Sequence, residues 1–295
     1  MAEMFSEVNR NKWNSFFLIS IFIVIITFIG LGLGNFWGNI YAGAILAAIF
    51  AFFYTLIVFN TGDKMILSMS GAKEAKKQDY PHLYHSVEGL AIAAGIPMPK
   101  IYVIEDSALN AFATGKNPEK ASITVTTGLL NKLNRQELEG VIAHEMSHIK
   151  NYDIRFMMLT AVLVGITVLL SDFFLRSLLY GKGNSNDRGN VNAIFIIVGL
   201  VLAILAPIIV ELIKLAISRK REYMADASGA ILTRYPEGLA SALEKIKSDP
   251  DPLVDHANKA TAHLFISNPF SRKNMSKLWS THPPIDERIK RLRAM

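Results

Sequence analysis

The sequence contains no cysteine. That excludes both a disulfide framework and a thiolate metal site, so any metal ion must be held by His, Asp or Glu. Charge is sparse as well: 19% of the 295 residues are Asp, Glu, Lys or Arg, against 51% hydrophobic. With a positive mean hydropathy, this balance points to membrane spans rather than to a larger soluble core. The formal charge of +6 suits an anionic lipid surface as well as nucleic acid. No basic strip interleaved with aromatics and no nucleic-acid module is found, so a lipid bilayer is the expected partner and nucleic acid is not.

The uncharged stretches set the organisation. Phe16 to Leu33 runs without charge for roughly the length that crosses a bilayer. It is too long for a cleaved signal peptide, and no small-x-small site precedes a polar mature sequence. Ile40 to Phe59 is a second such run, and the two make a hairpin over residues 1–60. Phe156 to Leu170 is borderline between a span and a buried helix, whereas Val191 to Val210, with Pro207 as a kink, is long enough to cross. These two runs form a second expected hairpin over residues 154–213, leaving polar segments at 61–153 and 214–295. Within the first segment, Leu83 to Ala94 predicts an amphipathic helix. Lys100 to Ile104, Ala108 to Thr114 and Ser122 to Thr127 predict strands, with a turn at Gly115 to Pro118. Lys64, Lys73, Lys76 and Lys77 follow the second run, and Lys214, Arg219, Lys220 and Arg221 follow the fourth. The loop between the first two runs has no charge, which places both polar segments in the cytoplasm, although Arg176, Lys182 and Arg188 run against this pattern.

Ahead of the third run stands Val141 to Ile149, V-I-A-H-E-M-S-H-I. Asn134 and Glu137 occupy capping-box positions, and Leu138, Val141, Ile142 and Ile149 recur at helical spacing, so the stretch predicts a buried helix. Two histidines four apart on a helix differ by about 40° around the axis and about 6 Å along it, so His144 and His148 can address one ion. In this arrangement two neutral imidazoles bind zinc and a carboxylate, here Glu145, takes a proton from water.

A catalytic zinc site needs a third protein ligand and one open position. The best candidate is Glu222 in S-R-K-R-E-Y-M-A-D, with Asp226 one turn later to accept the free N–H of a liganding imidazole. If His144, His148 and Glu222 share an ion, the intervening chain crosses the bilayer an even number of times, and it offers two apolar runs or none. A helix continuing from Glu211 carries Glu222 about 16 Å along its axis, so the site lies close to the membrane surface. Tyr223 is a packing residue or an oxyanion donor. His82 and His85, at i and i+3, read more readily as surface histidines than as a second metal site, and His256 and His263 have no assigned role.

The sequence resembles the HtpX family of membrane-embedded zinc metallopeptidases, relatives of the CAAX prenyl proteases. The resemblance is carried by His144-Glu145-x-x-His148 with Asn151 and Asp153, by Glu222-Tyr-x-Ala-Asp226, by Asn110-Ala-Phe-Ala-Thr-Gly, and by Thr281-His282-Pro283-Pro284 with Glu287-Arg288. It covers nearly the whole chain. The expected fold is an integral-membrane protein, mainly α with a small β-sheet, whose gluzincin-type protease domain is interrupted by a transmembrane hairpin. The resemblance implies one zinc ion on His144, His148 and Glu222, Glu145 as the base, and Asp226 behind a liganding histidine. It implies His282 and Arg288 as oxyanion stabilisers, and Asn110, Ala111, Phe112 and Ala113 as the edge strand on which an extended substrate lies. The implied role is cleavage of misfolded or damaged membrane proteins by a multi-pass enzyme of the cell membrane with its active site in the cytoplasm. Other readings are a zinc-stabilised scaffold without catalysis, which gives Glu145 no purpose, and a prenylated-peptide protease, whose larger relatives have more spans.

Overall fold

The computed structural model describes residues 2–36, 38–163, 165–166, 219–249, 261–267 and 283–295. The expected span Val191 to Val210, residues 164 and 167–170 of the third apolar run, His256 and His282 lie outside the described residues.

The chain opens with two long helices, α1 (Ala2–Phe36) and α2 (Ile40–Met69). Asn39 caps the second by accepting from the Ala42 N–H at 3.0 Å. Val8–Gly32 and Ile40–Met69 are long and apolar enough to cross a membrane. Their outward faces carry Phe16, Phe17, Val24, Phe28, Leu46, Phe52, Phe53 and Ile57, side chains suited to hydrocarbon rather than water. Glycine closes the hairpin: a Cβ on Gly43 would stand 2.3 Å from the Gly30 carbonyl oxygen and 2.4 Å from Gly34 Cα, so only glycine lets the backbones meet there. α2 does not end near Phe59 but runs on to Met69. Asn60 and Thr61 bond back to carbonyls one turn earlier, and Gly62 packs on Met158, so the polar stretch stays helical.

A small mixed sheet follows, built from β1 (Lys73–Glu74), β2 (Lys100–Ile104), β3 (Ala111–Gly115) and β4 (Ala121–Thr126) in the order β1-β2-β4-β3. β2 and β4 are parallel and the other pairs antiparallel, which leaves β3 at an edge. Between β1 and β2 lies α3 (Pro81–Ala94), ended by Gly95 in the left-handed conformation. After β4 come α4 (Thr127–Lys132) and α5 (Arg135–Lys150). The α5 capping box is closed in both directions: the Glu137 N–H donates to Asn134 Oδ1 at 3.0 Å, and the Asn134 N–H to Glu137 Oε2 at 2.8 Å. Residues 153–163 form α6, buried except at Arg155, so the start of the third apolar run packs inside the protein. α7 (Arg219–Thr233), α8 (Pro236–Ser248) and α9 (Ile285–Arg293) complete the described helices.

The described residues form two apolar clusters, the first of which includes α5. One joins α3, the sheet, α5, α8 and α9 through residues such as Val87, Ile123, Val141, Leu243 and Leu292. The other joins α1, α2 and α6 through Leu18, Phe22, Val58, Phe156 and Leu159, and takes in Phe112 and Phe265. The end of α5 sits where the soluble core meets the apolar hairpin.

Candidate active site

The site is assembled by the crossing of α5 and α7. A Cβ on Gly229 would stand 3.0 Å from the His144 backbone nitrogen, so the glycine brings the two helix backbones together beside that histidine. Glu222, Asp226 and Gly229 follow at i, i+4 and i+7, one face of α7, and this is the face applied to α5. His144 and His148 lie one above the other on α5.

The result is a convergence of three donors. Ligand atoms of His144, His148 and Glu222 all lie within 4.8 Å of one another, and all three residues are buried. The two Nε2 atoms are 3.2 Å apart. Glu222 Oε1 is 3.5 Å from His148 Nε2, and Oε2 is 3.8 Å from His144 Nε2. Two nitrogens bound to one tetrahedral zinc at about 2.0–2.1 Å would be about 3.3 Å apart, so the donor set fits such an ion.

Each imidazole is oriented by a carboxylate on its other nitrogen. His144 Nδ1 is 3.0 Å from Asp226 Oδ1, and His148 Nδ1 is 2.9 Å from Asp153 Oδ2. With Nδ1–H donated to a carboxylate, Nε2 is the atom that would offer its lone pair to an ion held among the three donors. Burial alone would lower the His148 pKa, but hydrogen bonds to Asp153 and Glu222 outweigh it and hold the ring up at about 10. The negative field that favours a proton on this ring favours a divalent cation in the same place.

Arg288, from α9, closes the other side of His144. Its Nε and Nη2 donate to both oxygens of Asp226 at 2.9 and 2.7 Å, and Nη1 donates to the Ile266 carbonyl at 3.3 Å and lies 3.4 Å from Glu222 Oε2. The guanidinium is 1% exposed. Burial would raise the Asp226 carboxyl, yet Arg288 and the hydrogen bond from His144 bring it down to about 2. Glu145 follows His144 on α5 and is 2% exposed. Burial pushes its carboxyl above the ordinary glutamate range, against the pull of His144, His148 and Arg288 and with a further push from Glu222. A carboxylate with an elevated pKa is suited to accepting a proton and giving it back near neutral pH.

Of the remaining candidates, Asn110 to Ala113 lie at the sheet edge. Thr126 N–H donates to the Asn110 carbonyl at 3.0 Å, so the ladder turns Asn110 and Phe112 toward β4 and Ala111 and Ala113 outward. The outward Ala111 carbonyl accepts from Ile266 N–H at 2.9 Å, and the Asn110 side chain donates to the Ser267 carbonyl at 3.0 Å. Phe112 turns into the hairpin-side cluster, with its ring centroid 5.0 Å from that of Phe265. Tyr223 packs under the Arg291 guanidinium at 3.8 Å, His263 Nε2 is bonded to the Met157 carbonyl, and His82 and His85 are exposed. Sequence reasoning gave no role to Asp153, five residues past His148. Its only signal was its place beside Asn151 in the family pattern, because the turn that brings it back to the imidazole is not periodic.

An H-E-x-x-H helix crossed by a glutamate-bearing helix, with a carboxylate behind each imidazole, defines a metallopeptidase. Comparison with known proteins narrows this class. The profile of peptidase family M48 matches residues 77–295. "Protease HtpX homolog" of Dictyoglomus turgidum is 48% identical over 291 residues, covering 99% of this chain and 94% of its own. The protein of that name from Listeria monocytogenes is 43% identical over 304 residues, covering 99% and 100%. The crystal structure of S. mikatae Ste24p shares the fold, with a TM-score of 0.52 at 19% identity, over 99% of this chain and 67% of that one. The chain belongs to peptidase family M48.

Proposed function

We propose that the protein is a zinc-dependent membrane endopeptidase that hydrolyses peptide bonds of misfolded or damaged membrane proteins at a site on the cytoplasmic face. The observation that carries this is the convergence of His144 Nε2, His148 Nε2 and Glu222 in a buried site whose histidines are each held by a second carboxylate. Zinc bound there supplies Lewis acidity, lowering the pKa of water and polarising the scissile carbonyl. Glu145 accepts a proton as the water oxygen bonds to the carbonyl carbon, then delivers it to the amine nitrogen as the C–N bond breaks. Asp226 and Asp153 keep the imidazoles in the Nδ1–H tautomer, and Arg288 holds Asp226 in place. The family resemblance adds His282 as a donor to the developing oxyanion.

Substrate lies along the outer edge of β3, the side away from β4. Because Ile266 takes the Ala111 carbonyl, pairing with an extended chain is centred on Ala113, the next residue facing outward. Backbone pairing reads little sequence, which suits a protease that accepts many damaged chains. Four membrane crossings, two of them at Val8–Gly32 and Ile40–Met69, return Glu222 to the side of His144. The basic residues following the second and fourth runs support a cytoplasmic site. The join between the soluble core and the apolar hairpin at the end of α5 favours cleavage near the membrane surface.

The test is cleavage of an unfolded protein by detergent-purified enzyme reconstituted with zinc, beside Glu145→Ala prepared in parallel. We expect one zinc per chain in both and cleavage by the wild type alone. Wild-type cleavage rates in Glu145→Ala would remove the base. Zinc binding without cleavage of generic or membrane-derived substrates by the wild type would return the protein to the scaffold reading.

A further inference from the structure

We propose that Asn11, on the membrane-inserted helix α1, is a positioning residue of the metal site, so that His148 is held as a ligand only while α1 is docked. This rests on the metal site proposed above.

Asn11 is fully buried, near the start of the span Val8–Gly32. Its amide nitrogen donates to Asp153 Oδ1 at 2.5 Å and to the Asn151 carbonyl at 3.0 Å, and its amide oxygen accepts from Arg221 Nη1 at 3.1 Å. Asp153 thus divides its oxygens, Oδ1 to Asn11, with Arg221 Nη1 3.8 Å from the same oxygen, and Oδ2 to His148 Nδ1. Pinning one oxygen fixes the plane of the carboxylate and hence the lone pair that receives the imidazole N–H. Arg221 directly precedes Glu222, so one side chain from α1 joins the partner of one ligand to the neighbour of another.

The turn that carries Asp153 is strained. Tyr152 has a φ of 60°, a conformation that residues with a bulky side chain seldom adopt. Lys12, the residue after Asn11, places its Nζ 4.7 Å from the centroid of the Tyr152 ring, and Arg155 lies 5.0 Å from the same centroid. Two consecutive residues of α1 therefore hold the turn between His148 and Asp153. A buried asparagine can also serve only to fasten one helix to another. General fastening does not require that both ends of its amide be committed to residues next to metal ligands.

The experiment measures zinc affinity by chelator competition on the full chain in detergent, for the wild type, Asn11→Leu, Asn11→Asp and Lys12→Ala. The visible spectrum of the cobalt-substituted protein is recorded for each, and folding is checked by circular dichroism and unfolding temperature. Phe22→Ala, which trims the apolar packing of α1 away from the turn and leaves Asn11 and Lys12 in place, is the stability control. We expect zinc affinity to fall about 10–100-fold in both Asn11 variants, as for loss of other groups that orient metal ligands. The cobalt bands should change, with a smaller loss of affinity in the same direction for Lys12→Ala and wild-type affinity for Phe22→Ala. Wild-type affinity and an unchanged cobalt spectrum in a folded Asn11 variant would overturn the proposal. If neither Asn11 variant folds, wild-type zinc affinity in Lys12→Ala, an exposed position, overturns it. A wild-type protein that takes up no zinc would instead overturn the metal site itself.

Discussion

Replacing Arg288 by methionine separates two roles that a buried arginine beside a metal site can have. The side chain is 1% exposed and makes a two-pronged contact with Asp226, which is 3% exposed and bonded to His144. Removing one partner of such a pair leaves the other charged and buried, which destabilises by about 3–5 kcal/mol. The total stability of a folded chain is about 5–15 kcal/mol, so the variant should unfold at visibly lower denaturant. The His144 ring also loses the fixed orientation of its partner, and zinc affinity should fall by about 10-fold or more. If the loss comes from the stranded charge, Asp226→Asn added to Arg288→Met should cost less than the sum of the two single changes, a coupling on the order of 2 kcal/mol. The assays are denaturant unfolding and chelator competition in detergent, with kcat and KM measured at saturating zinc. A folded Arg288→Met protein with wild-type stability and zinc affinity, but with kcat reduced by about 10²–10³-fold, would refute this reasoning. It would show the guanidinium acting directly on the charge that develops on the substrate.

Other consequences are equally open to measurement. Gly43→Ala should destabilise the hairpin by about 1–3 kcal/mol through backbone overlap with Gly30 and Gly34; an unchanged unfolding temperature in detergent would show that the helices separate at no cost. The pH dependence follows from Asp226, whose carboxyl is held at about 2 in the folded chain against an ordinary 3.8. A depressed pKa stabilises the fold fully above about pH 4 and loses that contribution as pH falls toward 2. The stability gap between zinc-free wild type and Asp226→Asn should therefore narrow over that interval, and a constant gap would mean that Asp226 carries no charge there.

The parts of the site that lie within one helix were legible in the sequence. His144, Glu145 and His148, the Asn134–Glu137 cap, and Glu222 with Asp226 follow from spacing along a helix, where three or four residues fix a shared face. β2, β3 and β4 were legible for the same reason, through alternation and the Gly115 turn, although β3 begins at Ala111 rather than at Ala108 and the two-residue β1 gave no signal. What spacing could not give was the pairing of distant residues. Asn11 meets Asp153 across 142 positions and Arg288 meets Asp226 across 62. Both pairings depend on how helices cross after packing. The uncharged run stops at Phe59 while α2 goes on to Met69 for a related reason: packing on Met158 and back-bonded side chains keep Asn60, Thr61 and Asp63 helical.

The contact between α9 and Asp226 has a consequence for biosynthesis. A ribosome delivers His144, His148, Glu222 and Asp226 before it delivers Arg288. A nascent chain therefore owns every metal donor while the residue that fixes the partner of His144 is still missing. The order of the residues along the chain makes the bracing of His144 through Asp226 a late step, complete only once α9 has packed.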